Sequence, residues 1–289
     1  MPNQEISRPT GTTTTPPCRL LSLAVLITCY NRRENTLRCL RRLEDATAGR
    51  CSYKIYLVDD GCTDLTADAV QEEFRNASII RTGGSLYWNG GMRVAWLAAI
   101  RDRPDFFLWL NDDTHLRGRA IVDMIDLYHS ARSNRTLVVG CTADDSGNKT
   151  YGGYKIAEGI SKLRFRRLSD EENSCDAMNG NCVLIPAAAV DEVGINSAEF
   201  THAFGDIDYG FRAKKAGYQI LELKAPVATQ ARNTHYEETV SRLNWQNWRF
   251  IFFHPKGVPW LEWYRFCRAH GGTLWILNFT VRYLKLMRR

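Results

Sequence analysis

No stretch of this sequence reaches the ~18 consecutive apolar residues that a membrane-crossing helix needs. The run Leu20 to Cys29 is too short, lacks the basic leader of a signal peptide, and leads straight into Tyr30-Asn31-Arg32-Arg33. It reads as a buried strand. The nine cysteines contain no Cys-x-x-Cys pair, and their number is odd. That argues against a regular disulfide framework. Several, such as Cys29, Cys141 and Cys182, sit in apolar runs, and are expected to be reduced, buried thiols of a cytoplasmic protein. No Gly-x-Gly-x-x-Gly follows the first strand, which argues against a dinucleotide oxidoreductase. No helix-turn-helix, zinc-finger or RNA-binding signature accompanies the net charge of +6, so nucleic acid is not an expected partner. Internal repeats are absent too.

What remains is a chain of 289 residues, 44% hydrophobic and 24% charged. That is the profile of a globular protein with one large domain, alone or with an extension. Its basic excess gathers at Arg164 to Arg167 and at Arg282, Lys285, Arg288 and Arg289, a placement suited to phosphates or an anionic membrane surface. The polar, Pro-ending segment 1–19 reads as a disordered leader.

From Ser22 onward, strand and helix signals alternate. Ser22 to Thr28 is a strand, and Asn31 with Glu34 predicts a capping box for a helix striped by Leu37, Leu40 and Leu43. Tyr53 to Val58 is a second strand, followed by a helix capped at Thr63 or Asp64 and carrying Leu65, Ala69 and Phe74. A short strand spans Ser78 to Arg81, a helix Gly90 to Ile100, and a fourth strand Asp105 to Leu110. A helix from about Arg119 and a strand from Thr136 to Gly140 continue the series. This order predicts an α/β fold, a mostly parallel sheet with helices on both faces. Residues 141 to 173 read as a long excursion. Cys182 to Ile185 has strand character, Phe204 to Ala216 helical and Tyr218 to Leu223 strand character. The catalytic domain is expected over 20–235, with a helical extension over 236–289.

Ligands of such sheets bind beyond the carboxyl ends of the strands. Those ends carry Thr28-Cys29-Tyr30-Asn31, Asp59-Asp60-Gly61 and Asn111-Asp112-Asp113. Adjacent carboxylates at a buried strand's exit repel each other unless neutralised. A hard cation such as Mg²⁺ or Mn²⁺ does that and takes a diphosphate with it. The triplet equally suits an Asp-rich turn that caps a helix. Asp59-Asp60-Gly61 suits base and ribose recognition, or again a turn. Gly205-Asp206-Ile207-Asp208 opens a helical pattern, where a carboxylate is favoured as a cap and is also placed to act as a base. His235 suits a surface or core histidine as well as a ligand.

Taken in order, these segments resemble glycosyltransferase family 2, the inverting enzymes of the GT-A fold, over roughly residues 20 to 250. Thr28-Cys29-Tyr30-Asn31-Arg32 is similar to the family's Thr-x-Tyr-Asn-Arg. Val58-Asp59-Asp60-Gly61-Cys62-Thr63-Asp64 differs from the family's segment only at Cys62. Leu110-Asn111-Asp112-Asp113-Thr114 resembles its Asp-x-Asp motif. Phe204-Gly205-Asp206-Ile207-Asp208 resembles its Glu-Asp-x-Asp segment, with Gly205 where Glu is common. Thr234-His235-Tyr236 resembles the late histidine that reaches the metal. Trp245 to His254 is similar to a helix of rhamnosyltransferase-like members.

The resemblance implies a nucleoside diphosphate sugar as donor and Mn²⁺ or Mg²⁺ as cofactor. Thr28, Tyr30, Arg32, Asp59, Asp60, Asn89, Gly90, Asn111 and Asp112 would contact the donor. Asp113 and His235 would hold the metal. Asp206 would be the base that deprotonates the acceptor hydroxyl, and Asp176, Asn179 and Asp208 would line the acceptor side, where a glycan or lipid-linked glycan is expected. A nucleotidyltransferase is the enzyme alternative, but the loop Thr28 to Arg33 lacks the glycines it needs. A non-catalytic scaffold is the other. The closing segment Leu274 to Arg289 is apolar with a basic end. Two readings suit it: a helix along the cytoplasmic membrane surface, or one packed on the catalytic domain or on a second subunit of a homodimer.

Overall fold

The structure is a computed structural model and describes residues 20–169, 171–233 and 243–288. Its first half runs β1 (Leu21–Cys29), α1 (Arg33–Arg41), α2 (Leu43–Thr47), β2 (Cys51–Asp59), α3 (Thr66–Glu73) and β3 (Ala77–Arg81). It continues with α4 (Tyr87–Ala99), β4 (Phe106–Leu110), β5 (His115–Leu116), α5 (Ala120–Ser130) and β6 (Thr136–Ala143). The predicted excursion, 141 to 173, instead holds β7 (Gly153–Ile156) and β8 (Phe165–Arg167), and β9 (Ser174–Cys175) and β10 (Ala177–Met178) follow it. Next come β11 (Cys182–Pro186), α6 (Ala187–Val193), α7 (Gly205–Lys215) and β12 (Gln219–Thr229). Three more helices follow: α8 (Trp248–Phe253), α9 (Trp260–His270) and α10 (Trp275–Arg288).

The main sheet has the order β3-β2-β1-β4-β11-β6-β12-β5, with β9 also on β12. Six of its nine strands (β1, β2, β3, β4, β6, β12) run one way, and β5, β9 and β11 run against them. The mostly parallel sheet is therefore present, with a reversed strand at its centre. A parallel strand covered on both faces must be apolar at every position. In β1, Leu23, Val25 and Ile27 enter one core with α1, α2, α3 and α5. Ala24 and Leu26 enter the other with α4, α6 and α7. β4 divides alike, with Phe106, Leu108 and Leu110 against Phe107 and Trp109.

The reversal of β11 matters for the site. Cys182 pairs with Leu110, so residues 179–181 arrive at the edge where β4 ends. β12 runs with β6 through a break in register between Leu223 and Ala228, which accommodates Pro226. The strand therefore reaches Thr229, farther than its apolar pattern predicts. β7, β8 and β10 form a second sheet of order β10-β7-β8.

Two local expectations are corrected. Asn31 caps no helix: its backbone is left-handed (φ 51°) and its Oδ1 accepts from the Thr63 N–H at 2.7 Å. α1 begins at Arg33 with no side-chain cap. Tertiary demand for the Asn31 amide outweighs local capping. Leu65 is likewise not on the inner face of α3 but 62% exposed, with φ 62°. Asp64 turns the chain there, accepting from the N–H groups of Thr66 and Arg33.

The C-terminal helices are built into the fold. Ile251, Val258, Trp263, Phe266, Cys267, Tyr283 and Leu286 form a third core with Phe200, against which Phe204, Ile207 and Phe211 pack. A polar tie reinforces it. Asp208, buried on α7, accepts from Arg212 Nε at 2.8 Å and lies 2.8 Å from His270 Nε2 of α9. Burial pushes the Asp208 carboxyl up, but His270 and Arg212 pull harder and leave it below its ordinary value.

Removing one member of a buried ion pair costs ~3–5 kcal/mol. Because Arg212 and His270 are part-exposed, Asp208→Asn is expected near the lower end, about 3 kcal/mol at pH 7. A carboxyl held low in the fold contributes fully above its unfolded value of about 3.9, and that contribution is lost as pH falls through the folded value. Urea midpoints of the two proteins should therefore stay apart above about pH 4 and converge as pH falls below it. A constant gap would disprove the linkage.

Candidate active site

Parallel register places the ends of β1, β2 and β4 at one edge, since Cys29 aligns with Asp59 and Leu26 with Trp109. The first two exits are stitched together. Asp59, buried, accepts from the Cys62 N–H at 2.6 Å, with Arg81 3.9 Å away. Cys62 Sγ accepts from the Asn31 N–H at 3.2 Å and lies 3.8 Å from Cys29 Sγ. All eight cysteines among the described residues are free thiols.

Asp60 is buried as well, and its carboxylate organises the start of α4. It accepts from Thr82 Oγ1 (3.0 Å) and from the N–H groups of Gly84 (3.1 Å), Leu86 (3.0 Å) and Tyr87 (2.9 Å). A negative charge at a helix start is favoured by the exposed N–H groups and the helix dipole. α4 then lies close against β1. A Cβ at Gly91 would stand 2.2 Å from Thr28 Oγ1, so only glycine permits this approach. Thr28 is half-buried, while Tyr30 and Arg32 are exposed.

The third exit carries the acidic pair. Arg32 NH1 lies 3.2 Å from Asp112 Oδ1 and 2.8 Å from Asp113 Oδ2. Burial pushes the Asp112 carboxyl up to about 7, Arg32 pulls it down, and Asp113 pushes it further up. The two carboxylates thus converge on one positive group. Gln230, just beyond β12, donates Nε2 to Asp113 Oδ1 at 2.6 Å. Asn111 accepts from Trp88 Nε1 at 2.8 Å, and its N–H donates to the Asn181 carbonyl at 3.0 Å.

Asp206 sits in the first turn of α7, half-buried. Its Oδ2 accepts from the Gly180 N–H at 2.9 Å and its Oδ1 from the Ile207 N–H at 2.8 Å. Burial pushes its carboxyl up against the pull of those N–H groups and of Asn179. Asn179 also accepts from Tyr154 OH at 2.7 Å. Asp176 stands at the start of the same segment, paired with Lys214 at 2.8 Å.

The expected residues fall into two groups. Thr28, Arg32, Asp112, Asp113, Asn179 and Asp206 belong to segments gathered at the carboxyl edge, where Arg32 bridges Asp112 and Asp113 and the segment of Asn179 touches both Asn111 and Asp206. Asn89 has a different place from the expected one. It is fully buried, its Nδ2 donates to the Ser197 and Phe200 carbonyls, and its Oδ1 accepts from Asn196. It joins α4 to the loop before α7, with no polar atom left for a donor. Gly90 is held in helix packing beside Leu86, and Gly91 makes the close approach instead. Asp208 binds Arg212 and His270 rather than facing an acceptor. The absence of Glu at 205 also has a cause, since a Cβ there would stand 2.0 Å from Asn89 Oδ1. His235 lies outside the described residues. Sequence reasoning missed Gln230 and Asn181; the one signal for Gln230 was its place at the end of a core strand.

The sequence profile of the "Glycosyltransferase like family 2" matches residues 19–247. A curated relative, the N-acetylglucosaminyl-diphospho-decaprenol L-rhamnosyltransferase of Mycobacterium tuberculosis, is 23% identical over 223 residues, 68% of this chain and 71% of the relative. Among solved structures, S. aureus TarS 1-349 superposes with a TM-score of 0.58 at 13% identity, covering 93% of this chain and 73% of that one. The mannosyltransferase PcManGT from Pyrobaculum calidifontis, solved with GDP-Man and Mn²⁺, does so with 0.58 at 12% identity, covering 96% and 73%. At such identities the structures establish a shared GT-A architecture, and the profile, which spans most of the chain, establishes descent: this protein belongs to the glycosyltransferase-like family 2.

Proposed function

We propose that the chain moves a sugar from a nucleoside diphosphate to a hydroxyl of a lipid-linked glycan, with inversion at the anomeric carbon. One observation carries this reading. A three-residue segment joins the acidic pair's strand to the candidate base: Gly180 donates to Asp206 while the carbonyl of Asn181 accepts from Asn111. A donor held at Asn111 to Asp113 would therefore present its sugar near Asp206. The relative from Mycobacterium tuberculosis is named for L-rhamnose transfer to a diphospho-polyprenol acceptor, and the same classes of donor and acceptor are proposed here.

The donor set suits a hard cation. Oxygens of Asp112 and Asp113 already converge on one cationic nitrogen, and carboxylate oxygens are the ligands Mg²⁺ and Mn²⁺ prefer. Asp113 would hold the ion, with His235 as a further ligand. A bound cation supplies Lewis-acid stabilisation of the departing nucleoside diphosphate. Arg32, released from the pair, would turn to the diphosphate. Thr28, Tyr30, Asp59 and Asp60 would frame the base and ribose, Asp60 by shaping the start of α4. Asp206 would accept the proton of the attacking hydroxyl. Its raised pKa makes it a stronger base than an exposed carboxylate. Asn179 and Asp176 would border the acceptor.

α10 suits a membrane-side acceptor. One face packs on the third core through Phe279, Tyr283 and Leu286. A second face exposes Ile276, Leu277, Leu284 and Met287, and the basic Arg282 and Lys285 are exposed beside it. An apolar stripe flanked by basic residues suits the surface of an anionic bilayer. Trp248 and Trp260 are also exposed, whereas Trp263 is buried in the third core. Among the described residues no helix is long and apolar enough to cross a membrane. The protein would work on the cytoplasmic face.

Four outcomes test this. Asp113→Ala should abolish transfer and weaken nucleoside diphosphate binding in Mn²⁺; full activity of that variant in chelator would remove the metal. Asp206→Asn should slow turnover by ~10²–10⁴-fold while keeping donor affinity. Wild-type turnover should rise with pH along an acid limb set above the ordinary carboxylate range. If Asp206→Asn leaves both the rate and that limb unchanged, the base lies elsewhere, and a chain that neither transfers nor hydrolyses any donor in a nucleotide-sugar panel is a scaffold. Finally, Leu277→Gln with Leu284→Gln, which removes apolar surface without adding charge, should weaken sedimentation with anionic liposomes at low salt; undiminished sedimentation refutes the α10 contact.

A further inference from the structure

We infer that Gln230 is a positioning residue for the cation site, fixing the Asp113 carboxylate so that Oδ2 alone is presented to the ion. This rests on the cation reading above and concerns a residue to which neither the motifs nor that reading gave a part.

Gln230 is 3% exposed and spends every polar atom of its side chain. Nε2 donates to Asp113 Oδ1 at 2.6 Å. Oε1 accepts from Thr114 Oγ1 at 3.0 Å and from Asn181 Nδ2 at 3.0 Å. The orientation of the amide is dictated by chemistry. An ionised carboxylate only accepts, so the nitrogen must face Asp113 and the oxygen must take the two donors. Thr114 is fully buried, so that half of the network has no access to water.

The geometry divides the two oxygens of Asp113 between two tasks. Oδ1 is held by a neutral donor rooted at the end of β12. Oδ2 is turned to the point where Asp112 Oδ1 also converges, now marked by Arg32. A neutral N–H aims the carboxylate without neutralising it, so its charge stays available to a cation. Groups that orient a metal-binding side chain in this way typically contribute 10–100-fold in metal affinity. The anchoring is also distributed: Gln230 joins the exit of β12, the loop after β4 and the approach to β11, and so locks Asp113 to the segment that holds Asp206.

The test uses the full chain and the electron paramagnetic resonance of free Mn²⁺, alone and with UDP or dTDP. Gln230→Met keeps the stem and removes all three polar contacts. Gln230→Glu keeps an acceptor for Thr114 and Asn181 and replaces only the N–H that faces Asp113. Both should weaken Mn²⁺ binding on the order of 10–100-fold. Melting temperature should fall in both, since Gln230→Met orphans Thr114 and Asn181 and Gln230→Glu sets a carboxylate against Asp113, but nucleotide affinity in chelator should stay near wild type, which a general loss of structure would not allow. The Glu variant separates aiming from charge, because an extra negative charge beside the site would by itself tighten Mn²⁺ binding. If Gln230→Met does not fold, Gln230→Glu carries the test. Unchanged or tighter Mn²⁺ binding by a folded variant overturns the role of Gln230 and leaves the cation reading standing. A wild-type chain that binds no Mn²⁺ under any of these conditions overturns both.

Discussion

Negative charge crowded at one edge of a sheet is the constraint around which this molecule is arranged. Asp59, Asp60 and Asp112 are buried there, beside Asp113, and Asp206 of α7 is joined to that edge through Gly180. An unpaired buried carboxylate is costly. Each is therefore met by donors, but of different kinds. Asp60 receives only neutral donors, three backbone N–H groups and a hydroxyl, and is spent on architecture. Asp112 and Asp113 share one guanidinium, which can leave. Asp206 receives two backbone N–H groups, and burial still raises its pKa. The permanence of the partner separates the carboxylates that build from those whose partner is exchangeable.

The reversed strand β11 makes this arrangement possible. In an all-parallel sheet, the segment before a strand lies at the opposite edge from the ligand. Because β11 runs against β4 and β6, residues 179–181 enter at the carboxyl edge and touch Asn111 and Asp206 at once. The third core then fixes α7 from behind, with Phe200, Phe204 and Phe211 packed on Phe266.

Much of this was legible in the residues. Strands buried on two faces are continuous apolar runs, and their acidic exits stand out against them, as at Val58 to Asp60 and Leu110 to Asp113. What was not legible depended on partners distant in the chain. Asn89 reads as a donor contact beside Gly90 until Ser197 and Phe200 take its amide. Asp208 reads as part of an acidic site until His270, sixty-two positions later, closes on it. Asn31 resembles a helix cap, but Thr63 claims its side chain. The break that carries β12 past Pro226 has no periodic signature, so Gln230 could not be placed at the edge.

The contact between Gly205 and Asn89 bears on how such a chain can drift. With only 2.0 Å between a would-be Cβ and the amide oxygen, any larger residue at 205 evicts the amide. Its loss would orphan the carbonyls of Ser197 and Phe200. A glutamate fits at position 205 only where position 89 is smaller and the loop before α7 has other donors. Two positions more than a hundred residues apart are thus one packing choice, and a change at either has to be answered at the other.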